Sequence, residues 1–183
     1  LLFQDTVVRS ANSVMDFSNL IKKTKFPGEI VPISIFLANL VAHGIGILIL
    51  LAAVAWSGHL SLWAFFLPIY WVLLLIFSLG LGWFTATLQV FLRDTVQVLQ
   101  VFMTVWFWFT PIFYSADKLP QSVRFLAVVN PLSCVVEGYR NCLLEGKAPE
   151  WIPLLQAFLF SVVTFVLGGI VFRVGKREFS DVL

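Results

Sequence analysis

A polar stripe on one face of a predicted helix is the first pattern in this chain whose residue types and spacing could serve chemistry. When residues 1–21 are placed on a helix at 100° per residue, five polar side chains fall within an arc of about 80°. Asp5 and Arg9 are spaced i, i+4, which suits a charge pair. A stripe of this kind faces water or a polar partner, while the opposite apolar face packs against other apolar groups. Its members are Asp5, Arg9, Asn12, Asp16 and Asn19.

Residue types that enzymes use are scarce in the rest of the chain. There is no G-x-x-x-x-G-K-[ST] phosphate loop, no H-E-x-x-H and no C-x-x-C. We therefore expect no metal site, no cofactor and no ATP hydrolysis by this chain itself. His43 could relay protons, but a packed neutral histidine is the simpler interpretation.

The elements that must position these residues are strongly apolar. From Ile30 to Leu92 the chain has 63 residues without Asp, Glu, Lys or Arg, about three times the roughly 20 residues of one membrane-spanning helix. Two further charge-free runs, Thr95–Ala116 and Trp151–Phe172, are long enough for one span each. The chain is 60% hydrophobic and 12% charged, whereas soluble domains carry about 25% charged residues. The sequence predicts an all-α integral membrane protein, a polytopic helical bundle that forms a single transmembrane domain over residues 1–183.

Basic residues near the span ends indicate the orientation. Lys and Arg concentrate in cytoplasmic loops, and all seven such residues fall on one side if the chain crosses four times. They are Lys22, Lys23, Lys25, Arg93, Arg173, Lys176 and Arg177. The predicted spans are 31–56, 62–91, 98–114 and 152–172, with a cytoplasmic tail over 173–183. The last three basic residues are expected to contact anionic lipid headgroups.

The striped segment allows two placements relative to the membrane. It is either a spanning helix that lines a water-filled channel or an amphipathic helix on the cytoplasmic surface. The lysines at 22, 23 and 25 would mark its emergence into the cytoplasm, which favours the channel-lining helix. An earlier span is then expected in a missing N-terminal part of the natural protein, since the chain opens at Leu1 without Met.

Residues 115–150 are expected to form a re-entrant helix pair on the outer side. Pro120 and Pro131 punctuate the segment, and apolar residues recur at helical spacing after each. Both helices are too short and too polar to span, but a pair packed against protein can dip into one leaflet. Such a pair could cap an exit.

Several motifs in order resemble type-2 ABC exporter permeases, in the branch that exports polysaccharides such as O-antigen, capsule and teichoic acid. The segment LIKKTKFPGEIVP, at 20–32, is similar to the cytoplasmic turn of that family, and FLRD, at 91–94, to its second cytoplasmic signature. The sequences TPIFY at 110–114, NPL at 130–132 and EGYR at 137–140 resemble its exit-side motifs.

The resemblance implies a six-span permease in a bacterial inner membrane, with this chain covering the second span onward. It implies a homodimer paired with two copies of a separate P-loop ATPase, which binds ATP and Mg²⁺, while this chain is a transporter subunit and not an enzyme. It also implies a lipid-linked glycan as cargo, contact with membrane lipids and no nucleic-acid partner.

The resemblance also implies a coupling element over residues 22–30 that seats in a cleft of the ATPase. Phe26 offers a knob on backbone that Pro27 restrains, although the segment could also be a positively charged anchor without a partner. Arg93 and Asp94 could contact the same ATPase or pair with each other. The predicted coupling residues are Lys22, Lys23, Lys25, Phe26, Pro27, Glu29, Arg93 and Asp94.

Two further groups are predicted to meet the cargo. Aromatic rings can stack on the apolar faces of sugars, although aromatic residues also concentrate at membrane interfaces in general. The aromatic candidates for the channel lining are Trp106, Phe107, Trp108, Phe109 and Tyr114. The predicted exit gate consists of Asn130, Pro131, Glu137, Tyr139 and Arg140, in which Glu137 and Arg140 pair locally or latch across the dimer axis.

Two other functions remain open at this point. One is a type-2 ABC exporter of drugs or other lipids. The other is a membrane-embedded lipid-modifying enzyme, which would need a cluster of catalytic carboxylates or histidines. Asp117, Glu137, Glu145 and Glu150 share a side, but no histidine or metal motif accompanies them.

Overall fold

The computed structural model describes residues 2–18, 27–58, 61–112 and 130–179, and all regular structure within these ranges is helical. Six α-helices are α1 (Leu2–Asp16), α2 (Ile30–Trp56), α3 (Leu67–Phe91), α4 (Thr95–Phe109), α5 (Pro131–Arg140) and α6 (Trp151–Gly175). A 3₁₀ turn, Leu62–Phe66, leads into α3, and a π-helical turn, Asn141–Glu145, extends α5.

Three helices are long and apolar enough to cross a membrane. They are Ile30–Trp56, Leu62–Phe91 and Trp151–Gly175, while Thr95–Phe109 is a shorter apolar helix. Large apolar side chains cover their outer surfaces; on α2, Val41, Leu48 and Ile49 are each about two-thirds exposed. A surface of this kind suits lipid, so the prediction of an all-α, multi-pass membrane protein is confirmed.

The helix ends lie close to the predicted span ends, except at α4. That helix ends at Phe109 and does not continue through the predicted span end at 114. Thr110 precedes Pro111, and the residue before a proline is disfavoured in helical backbone. Thr110 accordingly has extended backbone, with φ −84° and ψ 126°.

Helix α3 is the centre of the bundle, with α1 packed on one side and α6 on the other. The contact with α6 is a backbone contact, because a Cβ added at Gly168 would fall on the carbonyl group of Gly80. Small residues at such positions let membrane helices approach closely. The close approach fixes α3 and α6 as one packed unit.

Helices α1 and α5 are shorter and lie against this unit. Helix α1 buries Phe3, Val7 and Ala11 toward the core. Helix α5 packs on α3 and α6 and is the second of the two predicted re-entrant helices. The first lies outside the described residues.

Candidate functional site

The polar stripe lies on the open side of α1. Asp5, Arg9 and Asp16 are exposed and Asn12 is half-buried, while Asn19 is outside the described residues. Asp5 and Arg9, both in the described part of α1, do not form an ion pair with each other. The stripe thus presents its charges outward, away from the core.

Asn39, on α2, ties the stripe to the next helix. Arg9 donates from Nη1 to Asn39 Oδ1 at 3.3 Å, and Asn39 donates from Nδ2 to Thr6 Oγ1 at 3.1 Å. Asn39 was not among the site residues predicted from the sequence. A signal was present, since an amide is unusual in a span that is otherwise apolar, and His43 follows it at i+4 on the same face.

A second network joins the three exit-side motifs. Asn130 caps α5 by accepting a hydrogen bond from the backbone N–H of Leu132 at 3.0 Å. Its Oδ1 also accepts from the indole N–H of Trp106 at 3.1 Å, and its Nδ2 donates to Thr110 Oγ1 at 3.0 Å. One amide therefore joins the start of α5 to the end of α4.

Arg140 makes the same connection from the other end of α5. Its Nη2 donates to the carbonyl oxygens of Ile112 at 3.2 Å and Pro111 at 3.5 Å. Charge-assisted hydrogen bonds are stronger than neutral ones. Pro131 is buried and Glu137 is half-buried. Of the predicted gate residues, Asn130 and Arg140 thus both bind the chain that follows α4.

Tyr139, the remaining gate residue, turns toward α2. Its hydroxyl oxygen lies 3.0 Å from His43 Nε2, and its ring packs edge-on against Tyr70, with centroids 6.0 Å apart. His43, expected as a packed residue, is half-buried and bonded to this tyrosine.

The aromatic residues at positions 106–109, in the last part of α4, do not form one continuous surface. Trp106 is half-buried among Phe3, Phe77 and Phe102, with centroids 5.1–6.1 Å apart, and its N–H is bound to Asn130. Trp108 is 66% exposed and Phe109 is 47% exposed, while Phe107 lines a cavity and Tyr114 lies outside the described residues. Trp106 is therefore a packing residue here, and Trp108 and Phe109 are more exposed than it is.

That cavity is apolar, with a volume of about 310 Å³, and lies between α1, α4 and α5. Phe3, Leu74, Phe107 and Val135 contribute to its wall. Tyr139 and His43 border it as well. The cavity lies at the same end of the bundle as the exit-side network.

The coupling element is described from Pro27 onward, so Lys22, Lys23, Lys25 and Phe26 lie outside the described residues. Pro27 is exposed. Glu29 precedes α2, and both its carboxylate oxygens accept from Lys176 Nζ at 2.8 Å. Its carbonyl oxygen accepts from Trp83 Nε1 at 3.2 Å. Glu29 therefore joins the start of α2 to Trp83 within α3 and to the end of α6.

The pKa of Glu29 records this environment. Burial is the largest single effect and raises the pKa. The hydrogen bond and charge of Lys176, with the charge of Arg173 nearby, lower the pKa by more than burial raises it. The net pKa lies below the ordinary value for a glutamate. Lys176, expected among the lipid headgroups, is instead the partner of Glu29.

Arg93 and Asp94 occupy the tight turn between α3 and α4, and both are exposed. Among the described residues they form no ion pair with each other. Gln89, 7% exposed, holds the turn by donating to Arg93 O and accepting from Val96 N, both at 2.9 Å. Both charged side chains are therefore free to meet a partner at the end of the bundle that carries Glu29.

A sequence profile described as ABC-2 type transporter matches residues 6–144, most of the chain. The chain belongs to the ABC-2 type transporter family. This confirms the resemblance drawn from the motifs and makes the chain a transporter component.

Curated relatives point to one branch of the ABC-2 family. The chain is 26% identical over 182 residues to a protein of Myxococcus xanthus named O-antigen export system permease protein RfbA, covering 98% of this chain and 70% of the relative. It is 25% identical over 189 residues to a protein of the same name from Klebsiella pneumoniae, covering 99% and 70%. The similarity covers almost the whole chain, and the motifs described above are also spread along it.

Proposed function

We propose that this chain is the permease subunit of an ATP-driven ABC exporter that moves lipid-linked polysaccharide across the bacterial inner membrane. The observation that carries the proposal is the outward-facing stripe of Asp5, Arg9 and Asp16 on a bundle whose long helices expose large apolar side chains. The names of the relatives support the choice of cargo.

Contact with lipid would be energetically unfavourable for this stripe. A charged side chain at the centre of a bilayer costs roughly 2.5–3.5 kcal/mol on insertion scales. Asn39 holds Arg9, but the carboxylates of Asp5 and Asp16 are exposed. Two copies with their α1 helices face to face would enclose these groups in water. A homodimer with a polar path between the copies therefore follows from the proposal.

The ATPase belongs at the end of the bundle that carries Glu29, the predicted cytoplasmic end. Pro27, Arg93 and Asp94 are exposed there. Two copies of a P-loop ATPase, each binding ATP and Mg²⁺, would take up residues 22–29 as the coupling element. Glu29 would then pass movement to α2 directly and to α6 through Lys176.

The cargo would leave between the exposed rings of Trp108 and Phe109 and the exit-side helix α5. Asn130 and Arg140 hold that helix to the end of α4. A glycan can stack on aromatic faces and bond to the amide and guanidinium groups beside them. O-antigen, capsule and teichoic acid polymers all fit this chemistry.

Co-purification tests the proposal directly. The full-length permease is extracted in mild detergent after crosslinking in membranes, and mass spectrometry identifies the proteins and glycolipids that accompany it. We expect a P-loop ATPase at about one copy per permease, together with a lipid-linked glycan. Altering Phe26, Pro27 and Glu29 together should remove the ATPase.

A matched control changes exposed residues at the opposite end of the bundle. Leu62→Ala with Phe65→Ala alters two side chains that are 94% and 87% exposed and should leave the ATPase bound. A permease that purifies alone would refute the exporter. An ATPase recovered with a drug or a simple lipid, and no glycan, would point to the alternative type-2 ABC exporter.

A further inference from the structure

An apolar groove runs between α3 and α4, beside the turn that joins them. Its volume is about 750 Å³, within the roughly 300–1,000 Å³ of pockets that take a small ligand. Apolar side chains of both helices form most of its wall, among them Leu88 and Val98. Helix α4 has 15 residues, of which Leu99 and Met103 are buried, so the described part of the chain leaves most of this helix uncovered.

The length of the groove matches one leaflet of a membrane. It extends from Leu81 to Leu92 on α3 and from Thr95 to Trp106 on α4, and each stretch rises about 17 Å at 1.5 Å per residue. One leaflet of a hydrocarbon core about 30 Å thick is about 15 Å deep. A lipid chain that starts at the turn therefore reaches the middle of the bilayer within the groove, whereas a spanning helix of a second copy needs about twice that length.

The polar face of α4 lies on the opposite side of the helix from the groove. Gln97, Gln100 and Thr104 are exposed and fall within an arc of about 60° at 100° per residue. Val98 and Phe102, which line the groove, lie on the other side. Polar side chains within a membrane turn toward water or protein. A polar path or a second copy therefore belongs on the glutamine face, and the groove is left facing lipid.

Two opposite charges stand where the groove meets the turn. Arg93 and Asp94 both line the groove and both are exposed. They are neighbours in the chain, yet among the described residues they form no ion pair with each other. Asp94 precedes α4, but its side chain does not cap that helix. Gln89 holds the backbone of the turn from both sides, so the cation and the anion are presented at a set position.

These two charges complement a headgroup that carries both signs. A guanidinium group binds phosphate through charge-assisted hydrogen bonds, and basic sites between helices at the cytoplasmic side bind lipid headgroups. A carboxylate accepts hydrogen bonds from an ammonium group. Phosphatidylethanolamine offers a phosphate for Arg93 and an ammonium for Asp94. Phosphatidylglycerol would satisfy Arg93, but its net negative charge would be repelled by Asp94.

We propose that the groove between α3 and α4 binds one phosphatidylethanolamine molecule of the cytoplasmic leaflet. One of its chains lies along the groove, its phosphate binds Arg93, and its ammonium binds Asp94. The lipid gives these two residues a partner other than the ATPase. The inference goes beyond the proposed function and does not rest on it, because it requires a membrane but neither an ATPase nor a glycan.

Native mass spectrometry tests the headgroup assignment. The full-length permease with its ATPase is purified in mild detergent and titrated with phosphatidylethanolamine or phosphatidylglycerol that carry the same chains. We expect one phosphatidylethanolamine per permease, bound about fivefold more tightly than phosphatidylglycerol, which is the size of one exposed ion pair. Arg93→Gln should weaken the binding of both lipids, and Asp94→Asn should remove the preference. Equal binding of the two lipids by the wild type would overturn the assignment.

A matched pair of substitutions tests the groove itself. Val98 and Val101 are both 68% exposed on α4, but of the two only Val98 lines the groove. Val98→Trp should fill the groove and weaken lipid binding by at least tenfold, while Val101→Trp should leave binding unchanged. Equal effects of the two changes would refute the site.

Photocrosslinking locates the chain in the wild-type protein, without any substitution. Phosphatidylethanolamine with a diazirine at the end of one chain should label peptides that contain Phe102 or Trp106, at the inner end of the groove. Labelling confined to other helices would overturn the inference.

The same titration without the ATPase separates this inference from the proposed function. If no ATPase accompanies the permease, the proposed function falls, and the lipid preference and its loss in Asp94→Asn still decide the site. A lipid that binds only when the ATPase is removed would overturn the site, because Arg93 and Asp94 would then belong to the ATPase contact.

Discussion

Lys176 Nζ lies 2.8 Å from both carboxylate oxygens of Glu29, although the two residues are 147 positions apart. The pair closes one end of the bundle, because Glu29 directly precedes α2 and Lys176 directly follows α6. Trp83 adds α3 to the same point through the Glu29 carbonyl. The segment predicted to meet the ATPase is thus held by α3 and α6 and is continuous with α2, of whose 27 residues five are buried.

Acid should weaken this contact. The pKa of Glu29 lies below its ordinary value, so the pair stabilises the fold at pH values above that ordinary value. Its contribution is lost as the pH falls through the lowered pKa. Both groups are about one-third exposed, so we expect Glu29→Gln to cost no more than about 1 kcal/mol at neutral pH. Thermal unfolding in detergent at neutral and acid pH measures the difference, which should vanish in acid.

The control for this prediction is Glu145→Gln, which removes an exposed pair with Lys147. It should not change the melting temperature at either pH. The double exchange Glu29→Lys with Lys176→Glu should recover stability that either single change loses. A double exchange no better than the singles would contradict the pairing.

Loss of Asn130 should loosen α5. Asn130→Ala removes the helix cap, a cost of about 0.5–2 kcal/mol, and leaves the indole N–H of the half-buried Trp106 without its acceptor and Thr110 Oγ1 without one donor. Asn130→Asp keeps the cap and the acceptor for Trp106, and should retain more stability. Hydrogen exchange of α5 amides reports the change. Thr104→Ala, which removes an exposed bond within α4, should leave that exchange as it was.

The contact between α3 and α6 should tolerate no added methyl group. Gly168→Ala would press a Cβ against the Gly80 carbonyl, and overpacking of this kind costs about 1–3 kcal/mol or more. Yield of folded protein and melting temperature measure it. Gly46→Ala, on α2 with open space around the site, should be harmless. Equal effects of the two changes would refute the backbone contact.

The stripe on α1 should be needed for export. Replacing Asp5, Asn12 and Asp16 together by Leu should lower export by about tenfold or more, which equals about 1.4 kcal/mol on the barrier. Export is measured in proteoliposomes at matched protein level. Normal export by this variant would remove the stripe from the path.

A triple change on a lipid-facing surface is the appropriate comparison. Leu37, Val41 and Ile45 are more than half exposed on α2, and their replacement by Ala should leave export near the wild-type rate. If both triple variants lose export equally, the loss reflects general damage to the bundle.

The sequence predicted the helices well because their signal is local. A run of apolar residues without charge is costly to place anywhere but a bilayer, so the start of α2 and both ends of α6 lie within three residues of the predicted span ends. Helix α4 ends at Phe109, shortly before Pro111. Pro111 was a local signal for this end, but the prediction followed the hydropathy of the run and placed the end at 114.

Partners that are distant in the chain could not be predicted in the same way. Lys176 belongs to a basic cluster of the kind that marks any cytoplasmic end. Nothing in the sequence around it indicates that Glu29 is its partner. Trp106 stands in a run of rings whose directions depend on packing against Phe3 and Phe77. Asn39 and Gln89 carry no motif, and only the fold shows which groups they bond.

The touching backbones of Gly80 and Gly168 also limit how the bundle can deform. Axial sliding of α6 along α3 by one turn would bring Thr164 or Phe172 to the narrow site, because residues four apart share a helix face, and a Cβ at that site would meet the Gly80 carbonyl. Helices α3 and α6 therefore move as one rigid unit that resists sliding, while the other helices can rotate relative to it. Helix α2 has open space around Gly44 and Gly46, so we expect a change of shape during a working cycle to involve α2 rather than the contact between α3 and α6.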